Sequence, residues 1–219
     1  MRHRFADRRD AGRALGQELV RTAPAEAVVL GLPRGGVVVG AVVAAVLQAP
    51  FDILVVRKIG LPWQPELAMG AVAGLGGELE TVRTEEVLTR AGVGPEVFDR
   101  VRDEEVAELR RREAAYRGNR PAVPVRGRPV VLADDGLATG ATMRAAVAAA
   151  RGAGCGRVTV AVPVGAPRAC ARLREDADDV VCLWAPPDFR AVQQGYADFA
   201  PTSDDEVRAA LAESTPPPV

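Results

Sequence analysis

Two adjacent carboxylates stand at the end of an apolar run in the sequence VVLADDGLATGAT, which covers residues 130–142. The apolar run predicts a buried strand, and Asp134 and Asp135 follow it directly. Carboxylate oxygens only accept hydrogen bonds, so this pair would repel a phosphate and suits neighbouring hydroxyl groups instead. The pair therefore predicts a site for the diol of a sugar.

The residues that follow the pair have the composition of a phosphate site. They lead from the predicted strand into a predicted helix, and the first N–H groups of a helix have no partner within it. Together with the helix dipole, such groups bind anions, and glycine lets a phosphate approach the backbone closely. The residues of this loop are Gly136, Ala138, Thr139, Gly140, Ala141 and Thr142. A diol site beside a phosphate site predicts a phosphorylated ribose as the ligand.

This stretch resembles the phosphoribosyl-diphosphate (PRPP) motif of the type I phosphoribosyltransferases. In that family two acidic residues hold the ribose hydroxyls and a TGxT-type loop holds the 5′-phosphate, which here implies Asp134, Asp135 and Ala138–Thr142. The segments RFADRRDAG, LGLPRGG, VVRKIG, PELAMGAVA, DDGLATGATM and WAPPDF together resemble a group of predicted bacterial phosphoribosyltransferases. An alternative is that the aspartates only cap the helix and bond the loop.

A second strand-to-helix turn, in the sequence LPRGGV, matches the position of the pyrophosphate loop in that family. Gly35 and Gly36 free backbone amides, and Arg34 adds a planar fork of donors that fits phosphate oxygens. The alternative is an ordinary tight turn, since a glycine pair after a strand usually makes one. The resemblance implies a pyrophosphate-binding role for Arg34, Gly35 and Gly36.

Arg57 and Lys58 end the next predicted strand, where type I enzymes carry a flexible loop that closes over the substrate. Closure would exclude water from a reactive ribosyl centre, and the two cations would neutralise the pyrophosphate. Lys58 is the single lysine among 28 basic residues, and an ammonium can follow moving phosphates as a point charge. We therefore predict Lys58, Asp134 and Asp135 as the catalytic residues. The alternative for Arg57 and Lys58 is a pair of surface charges.

Aromatic residues after the last predicted strand are candidates for binding the group that accepts the ribose. In this family the segment forms a hood whose rings stack on a base, which implies Trp184 and Phe189 as acceptor-binding residues. Glu66, in the loop after Lys58, is a further acceptor-binding candidate. The alternatives are core packing for the rings and a helix-start carboxylate for Glu66. Ala138 stands where 6-oxopurine enzymes carry an aspartate that acts on the acceptor, so hypoxanthine and guanine are disfavoured.

The predicted reaction is transfer of 5-phosphoribosyl from PRPP to a nitrogenous, nucleobase-like acceptor, with release of pyrophosphate. Mg²⁺ would arrive with PRPP, bound through oxygen ligands and water, and no protein-built metal site is predicted. The alternative is a regulator that binds PRPP or a nucleotide without turnover. A P-loop or dinucleotide-binding protein is disfavoured because the sequence contains neither GxxxxGK[ST] nor GxGxxG.

Apolar strand-like runs alternate with helical patterns, which predicts an α/β fold with a central, mostly parallel sheet flanked by helices. We expect one type I phosphoribosyltransferase domain over 1–219, with a flexible loop and hairpin at 57–84 and a hood with a C-terminal helix at 184–213. Strands are expected at 27–32, 52–56, 130–133, 157–162 and 179–183, and hairpin strands at 69–73 and 79–83. Helices are expected at 7–21, 36–47, 95–117, 142–153, 167–175 and 203–212.

Composition limits the partners. The net charge of −1 gives no general attraction to nucleic acid, and no apolar run approaches the roughly 20 residues that cross a membrane. The basic N-terminal segment lacks the apolar core of a signal peptide, which predicts a cytoplasmic location. Three cysteines without CxxC spacing and one histidine, His3, predict neither a zinc site nor a disulfide framework. A homodimer is implied by the family resemblance alone.

Overall fold

A computed structural model describes residues 5–214 of the chain. The strands are β1 (Val28–Gly31), β2 (Phe51–Ile53), β3 (Val55–Leu61), β4 (Gln64–Leu75), β5 (Glu78–Arg83), β6 (Val130–Ala133), β7 (Val158–Val164) and β8 (Asp179–Trp184). The helices are α1 (Arg8–Leu19), α2 (Gly35–Leu47), α3 (Glu85–Ala91), α4 (Pro95–Arg117), α5 (Ala141–Gly152), α6 (Pro167–Asp176) and α7 (Asp204–Glu213), and Val192–Gly195 forms a 3-10 turn. Each predicted helix lies within two residues of its expected position. The short helix α3 was not expected.

The parallel sheet has five strands in the order β2-β1-β6-β7-β8. Every residue of β1, β6 and β7 is buried, because apolar side chains pack on both faces of these strands. Gly31 at the end of β1 pairs with Ala133 at the end of β6, so the loops after these strands leave the sheet side by side. This architecture confirms the predicted α/β fold, and it brings the two predicted strand-to-helix turns together.

The segment 57–84 differs from the expected flexible loop, since it forms most of a three-stranded antiparallel sheet in the order β3-β4-β5. The expected hairpin is present, but its first strand, β4, is longer and also pairs with β3. The physical reason is burial on two faces. Ile59 and Val72 pack in the core that includes side chains of α4, whereas Ala73 and Leu75 pack in the core that includes side chains of α5.

Two smaller differences concern the elements beside this sheet. The expected strand 52–56 is divided at Leu54, so that β2 joins the parallel sheet and β3 joins the antiparallel one. In α4, Phe98 is fully buried, whereas its neighbour Val97 is only half-buried. A phenylalanine side chain removes more apolar surface from water than a valine does, so the helix turns Phe98 inward.

A buried ion pair connects β2 to the end of α4. The Asp52 side chain is 1% exposed, and its two oxygens lie 2.6 and 2.7 Å from Nη1 of Arg117. The backbone N–H groups of Ile53 and Val123 also donate to this carboxylate, each at 2.8 Å. These hydrogen bonds stabilise the buried charge and connect the edge of the parallel sheet to α4 and to the segment after it.

Within residues 5–214 no helix combines the length and the apolar character that a membrane crossing requires. The same residues contain no group of three or more His, Cys, Asp or Glu side chains placed to hold a metal ion. Cys155, Cys170 and Cys182 are unpaired, and Cys170 is buried.

Candidate active site

The acidic pair lies at the C-terminal edge of the parallel sheet, in the loop between β6 and α5. Asp134 and Asp135 are both half-buried, and the backbone N–H of Asp135 donates to Oδ1 of Asp134 at 2.8 Å. The backbone N–H of Asp134 donates to the carbonyl of Ala161 on β7, at 3.3 Å. The neighbouring strand therefore holds the start of the loop, and the two carboxyl groups lie close to each other.

The start of α2 packs directly against the acidic pair. A Cβ atom on Gly35 would overlap Oδ2 of Asp135, and one on Gly36 would lie 2.8 Å from Oδ1 of Asp134. Any side chain at these two positions would displace the carboxylates, so the close approach requires glycine. The backbone of the predicted pyrophosphate loop thus contacts the predicted ribose site, and the two motifs form one site.

The start of α5 provides a second helix N-terminus at this site. Gly140 precedes the helix with a φ of +81° and, as a glycine, offers no side chain to cap it. The backbone N–H of Ala141 has only a long contact, 3.4 Å, to Oγ1 of Thr139. Ala138, Thr139, Ala141 and Thr142 are exposed. The amides of this first turn, at the positive end of the helix dipole, can bind an anion such as a phosphate.

Two residues that sequence reasoning did not assign to the site hold Asp135 from the other side. Nε of Arg8, the first residue of α1, lies 2.8 Å from Oδ2 of Asp135. The Tyr196 hydroxyl donates to the backbone carbonyl of Asp135 at 2.5 Å. Arg8 belongs to the segment RFADRRDAG, so the family resemblance of that segment is the one signal in the sequence that could have marked it.

Burial shifts the proton equilibria of the site. It raises the pKa of Asp134 well above the ordinary value, and the negative charge of Asp135 raises it further. The backbone N–H of Asp135 and the cation of Arg8 lower this pKa, but they do not cancel the effect of burial. Burial also raises the pKa of the Tyr196 phenol, so this hydroxyl keeps its proton and stays a donor. Asp134 therefore holds its proton to higher pH than an isolated carboxyl group.

Replacing Asp134 with asparagine should stabilise the ligand-free protein, and increasingly so as the pH rises. A carboxyl group with a raised folded-state pKa stabilises folding below its unfolded pKa, about 4, and this stabilisation is lost as the pH rises through the folded value. Asparagine does not ionise, so the unfolding free energy of Asp134→Asn should exceed that of the wild type by an amount that grows upward from about pH 4. Urea denaturation at several pH values measures this difference in unfolding free energy, and Asp188→Asn, which changes an exposed aspartate, is the control. A difference independent of pH would contradict the raised pKa.

The predicted cations of β3 have acidic partners. Nζ of Lys58 lies 3.2 Å from Oε2 of Glu66 on β4, and Nη2 of Arg57 lies 2.6 Å from Oε2 of Glu105 on α4. These side chains line a cleft of about 720 Å³ between the β3–β4 hairpin and α4. Across residues 5–214, neither cation forms an ion pair with the acidic pair. The structure thus groups Glu66 with Lys58 instead of with the hood.

Arg34 lies at the start of α2 with its side chain 54% exposed. Its Nη1 is 3.8 Å from Oδ1 of Asp204 on α7. An exposed ion pair at this distance contributes little to stability, so the guanidinium can move to an incoming anion. The pyrophosphate role of Arg34 stays a prediction.

The end of β8 and the segment after it lie beside the acidic loop. Trp184, expected after the last strand, is the final residue of β8, and it packs with Phe189, partly buried, in an aromatic cluster that contains Tyr196. The side chain of Val192 covers Gly136, where a Cβ atom would overlap it. The acceptor-binding roles of Trp184 and Phe189 stay predictions. A separate groove of about 850 Å³ between α1, α2 and α7 contains none of the predicted site residues.

Comparison with known proteins gives matches over nearly the whole chain. The sequence profile of a family described as phosphoribosyl transferase domain matches residues 6–199. The Mycobacterium tuberculosis protein Rv0571c, provisionally named a phosphoribosyl transferase, is 48% identical over 207 residues. The match covers 94% of this chain and 46% of Rv0571c, so the chain spans about half the length of the curated relatives it matches.

Two solved structures are similar in fold. TT1426 from Thermus thermophilus has a TM-score of 0.87 and 44% sequence identity, and the match covers 96% of this chain and 99% of that one. AQ2163 from Aquifex aeolicus has a TM-score of 0.50 at 13% identity, and the match covers 87% of this chain and 85% of that one. The first similarity extends over both sheets and the hood, and the second concerns the fold alone.

Proposed function

The chain belongs to the phosphoribosyl transferase domain family, and we propose that it transfers 5-phosphoribosyl from PRPP to a nitrogenous acceptor with release of pyrophosphate. The substrate would be the complex of PRPP with Mg²⁺, in which phosphate oxygens and water supply most ligands of the ion. In this proposal Mg²⁺ arrives as part of the substrate.

One observation carries this proposal: the start of α2 contacts the pair of carboxylates, and the loop that carries the pair leads into the start of α5. Helix starts bind phosphates, and carboxylates bind the hydroxyls of a diol. A ligand that uses all three features has a vicinal diol and phosphate groups at two separate positions. PRPP fits this description, because its ribose carries a 5′-phosphate and a pyrophosphate on the anomeric carbon.

In the proposed reaction the bond from the anomeric carbon to pyrophosphate breaks and a bond to the acceptor nitrogen forms, with inversion at that carbon. Asp134 and Asp135 hold the ribose hydroxyls, and the first turn of α5 holds the 5′-phosphate. The amides of Gly35 and Gly36, together with Arg34, receive the charge that grows on the leaving pyrophosphate. Pyrophosphate with Mg²⁺ is already a good leaving group, so positioning and electrostatic stabilisation supply the catalysis.

The acceptor is proposed to be a flat nitrogenous base. Trp184 and Phe189 belong to the aromatic cluster beside the acidic loop, and rings of this kind stack on bases. Ala138 lacks a group that could exchange a proton with a 6-oxopurine, which favours other purines, pyrimidines or amines. Glu66 would act on the acceptor from the β3–β4 hairpin, where it now pairs with Lys58.

Isothermal titration of the purified protein with Mg²⁺–PRPP tests the proposal, followed by assays of pyrophosphate release with a panel of bases. Binding and base-dependent release would support the transferase and identify its acceptor. Binding without release from any base would favour the alternative, a regulator with the same site. Absence of binding would contradict both.

Replacing Lys58 with alanine should reduce kcat more than it weakens the binding of Mg²⁺–PRPP. The ammonium is proposed to neutralise charge that appears on pyrophosphate only as the bond breaks, and one such contact contributes roughly 10–100-fold to rate. Steady-state kinetics and titration measure the two effects separately. Lys58→Arg is the matched control, because it keeps the charge. Equal losses in kcat and affinity would reduce Lys58 to a binding residue.

The cytoplasmic location and the homodimer remain predictions from the sequence. Light scattering after size-exclusion chromatography measures the oligomeric state directly. Neither property enters the proposed mechanism, because all of its residues belong to one chain.

A further inference from the structure

Arg8 connects three parts of the site through one guanidinium group. Its Nε lies 2.8 Å from Oδ2 of Asp135, and its Nη1 lies 2.7 Å from the carbonyl oxygen of Ala200. Its central carbon lies 3.9 Å from the ring centroid of Phe199. The Arg8 side chain is only 12% exposed, and Asp135 is its single ion-pair partner among the residues that the structure describes. A charge buried to this extent requires such a partner.

The contact determines which oxygen of Asp135 is available to a ligand. Oδ2 accepts from Arg8, and the backbone carbonyl accepts from Tyr196. No donor within residues 5–214 pairs with Oδ1. The cation also offsets the repulsion between the carboxylates of Asp134 and Asp135. Oδ1 is therefore the oxygen left to accept a hydrogen bond from a sugar hydroxyl.

We infer that Arg8 is a positioning residue for the ribose site: it holds the Asp135 carboxylate in place through Oδ2, so that Oδ1 can bind the ribose diol. This inference rests on the proposed function, since it assigns Arg8 to the binding of PRPP. Arg8 does not act on pyrophosphate, whose proposed partners lie at the start of α2 and on β3. Removing Arg8 should therefore weaken a ligand that contains ribose and spare a ligand that lacks it.

The groups that face Asp135 come from several elements. Asp134 precedes it in the loop, the Tyr196 hydroxyl comes from the hood, and Arg8 comes from α1, whereas α2 contributes only its two glycines. Arg8 is the one cation in this set. Without it, two adjacent carboxyl groups would lie together with no compensating charge, and they would hold their proton to higher pH.

The test compares Arg8→Gln and Arg8→Lys with a control, Arg9→Gln, which changes the neighbouring exposed arginine of α1. Isothermal titration at several pH values gives Kd for Mg²⁺–PRPP and for Mg²⁺–pyrophosphate. For Arg8→Gln we expect about tenfold or greater loss of PRPP affinity at neutral pH, with pyrophosphate affinity within about twofold of the wild type. The loss should grow as the pH falls. Arg8→Lys should recover part of the affinity, and Arg9→Gln should match the wild type.

Equal losses for the two ligands, or an unchanged pH profile, would overturn the inference and leave Arg8 as a structural link between α1 and the hood. If Arg8→Gln does not fold, Arg8→Lys carries the comparison, and an unchanged ratio of the two affinities overturns the inference.

Failure of the proposed function can be told apart from failure of this inference. If the wild type binds no PRPP, the function fails, and ¹³C NMR titration of the aspartate carboxyls in the ligand-free protein still tests Arg8. Removal of the cation should move the titration midpoint of the Asp134–Asp135 pair to higher pH. An unmoved midpoint would overturn the positioning role.

Discussion

A protein in which asparagine replaces both Asp134 and Asp135 should bind Mg²⁺–PRPP roughly 10²–10⁴-fold more weakly than the wild type. Each carboxylate is proposed to accept from a ribose hydroxyl, and a hydrogen bond to a charged group contributes about 1.5–3 kcal/mol. Asparagine has nearly the same shape as aspartate, so the loss reports charge and acceptor capacity instead of packing. Isothermal titration at neutral pH measures the two dissociation constants.

Two controls make this result specific. Asp188→Asn changes an exposed aspartate of the hood and should leave the affinity unchanged. Mg²⁺–pyrophosphate should bind the double variant almost as well as the wild type, because its proposed partners are Arg34 and the amides of Gly35 and Gly36. Unchanged PRPP affinity in the double variant would remove the assignment of the acidic pair to the ribose.

Replacing Asp52 with alanine should lower the free energy of unfolding by about 3–5 kcal/mol. The substitution removes the carboxylate that lies 2.6 Å from the 12% exposed guanidinium of Arg117 and leaves only the more distant Glu113, at 3.7 Å. It also removes the acceptor for the Val123 N–H group. Urea denaturation followed by circular dichroism measures the change. A loss of this size is a large part of the stability of an ordinary domain.

The double variant Asp52→Ala with Arg117→Met provides the matched comparison, because it removes both charges together. It should be more stable than Asp52→Ala alone, since the buried cation is removed together with its short-range partner. Asp103→Ala, which breaks an exposed ion pair with Arg102, should change the unfolding free energy by less than about 1 kcal/mol. If Asp52→Ala were as stable as Asp103→Ala, the ion pair would contribute nothing to holding β2.

Local patterns explain the parts of the molecule that could be predicted. The strands β1, β6 and β7 are continuous apolar runs, and the loop after β6 carries its carboxylates and glycines in one uninterrupted stretch. A binding site that is formed by about a dozen consecutive residues can be predicted without knowing which residues pack around it. The starts of α2 and α5 were predicted to within one residue for this reason.

Contacts between distant residues explain what could not be predicted. Arg8 and Asp135 are 127 positions apart, and no local sequence pattern around either residue predicts their ion pair. The strands β3 and β4 contain glycine and proline, so their composition suggests a loop, and only their burial between α4 and α5 makes them strands. Lys58 shows both situations. The sequence alone shows that it is the single lysine, whereas its ion pair with Glu66 is visible only in the structure.

The proposed ribose site is assembled from residues near both ends of the described chain. Phe5 pairs with Tyr196, and Arg8 contacts Ala200, which lies 192 positions later. A ribosome releases the N-terminal part first, so Arg8 emerges long before the acidic loop, and the hood emerges later still. A nascent chain that still lacks residues 196–200 lacks the contacts that Tyr196 and Ala200 make around Asp135 and Arg8. The proposed substrate would therefore stabilise this protein only after these residues have been synthesised.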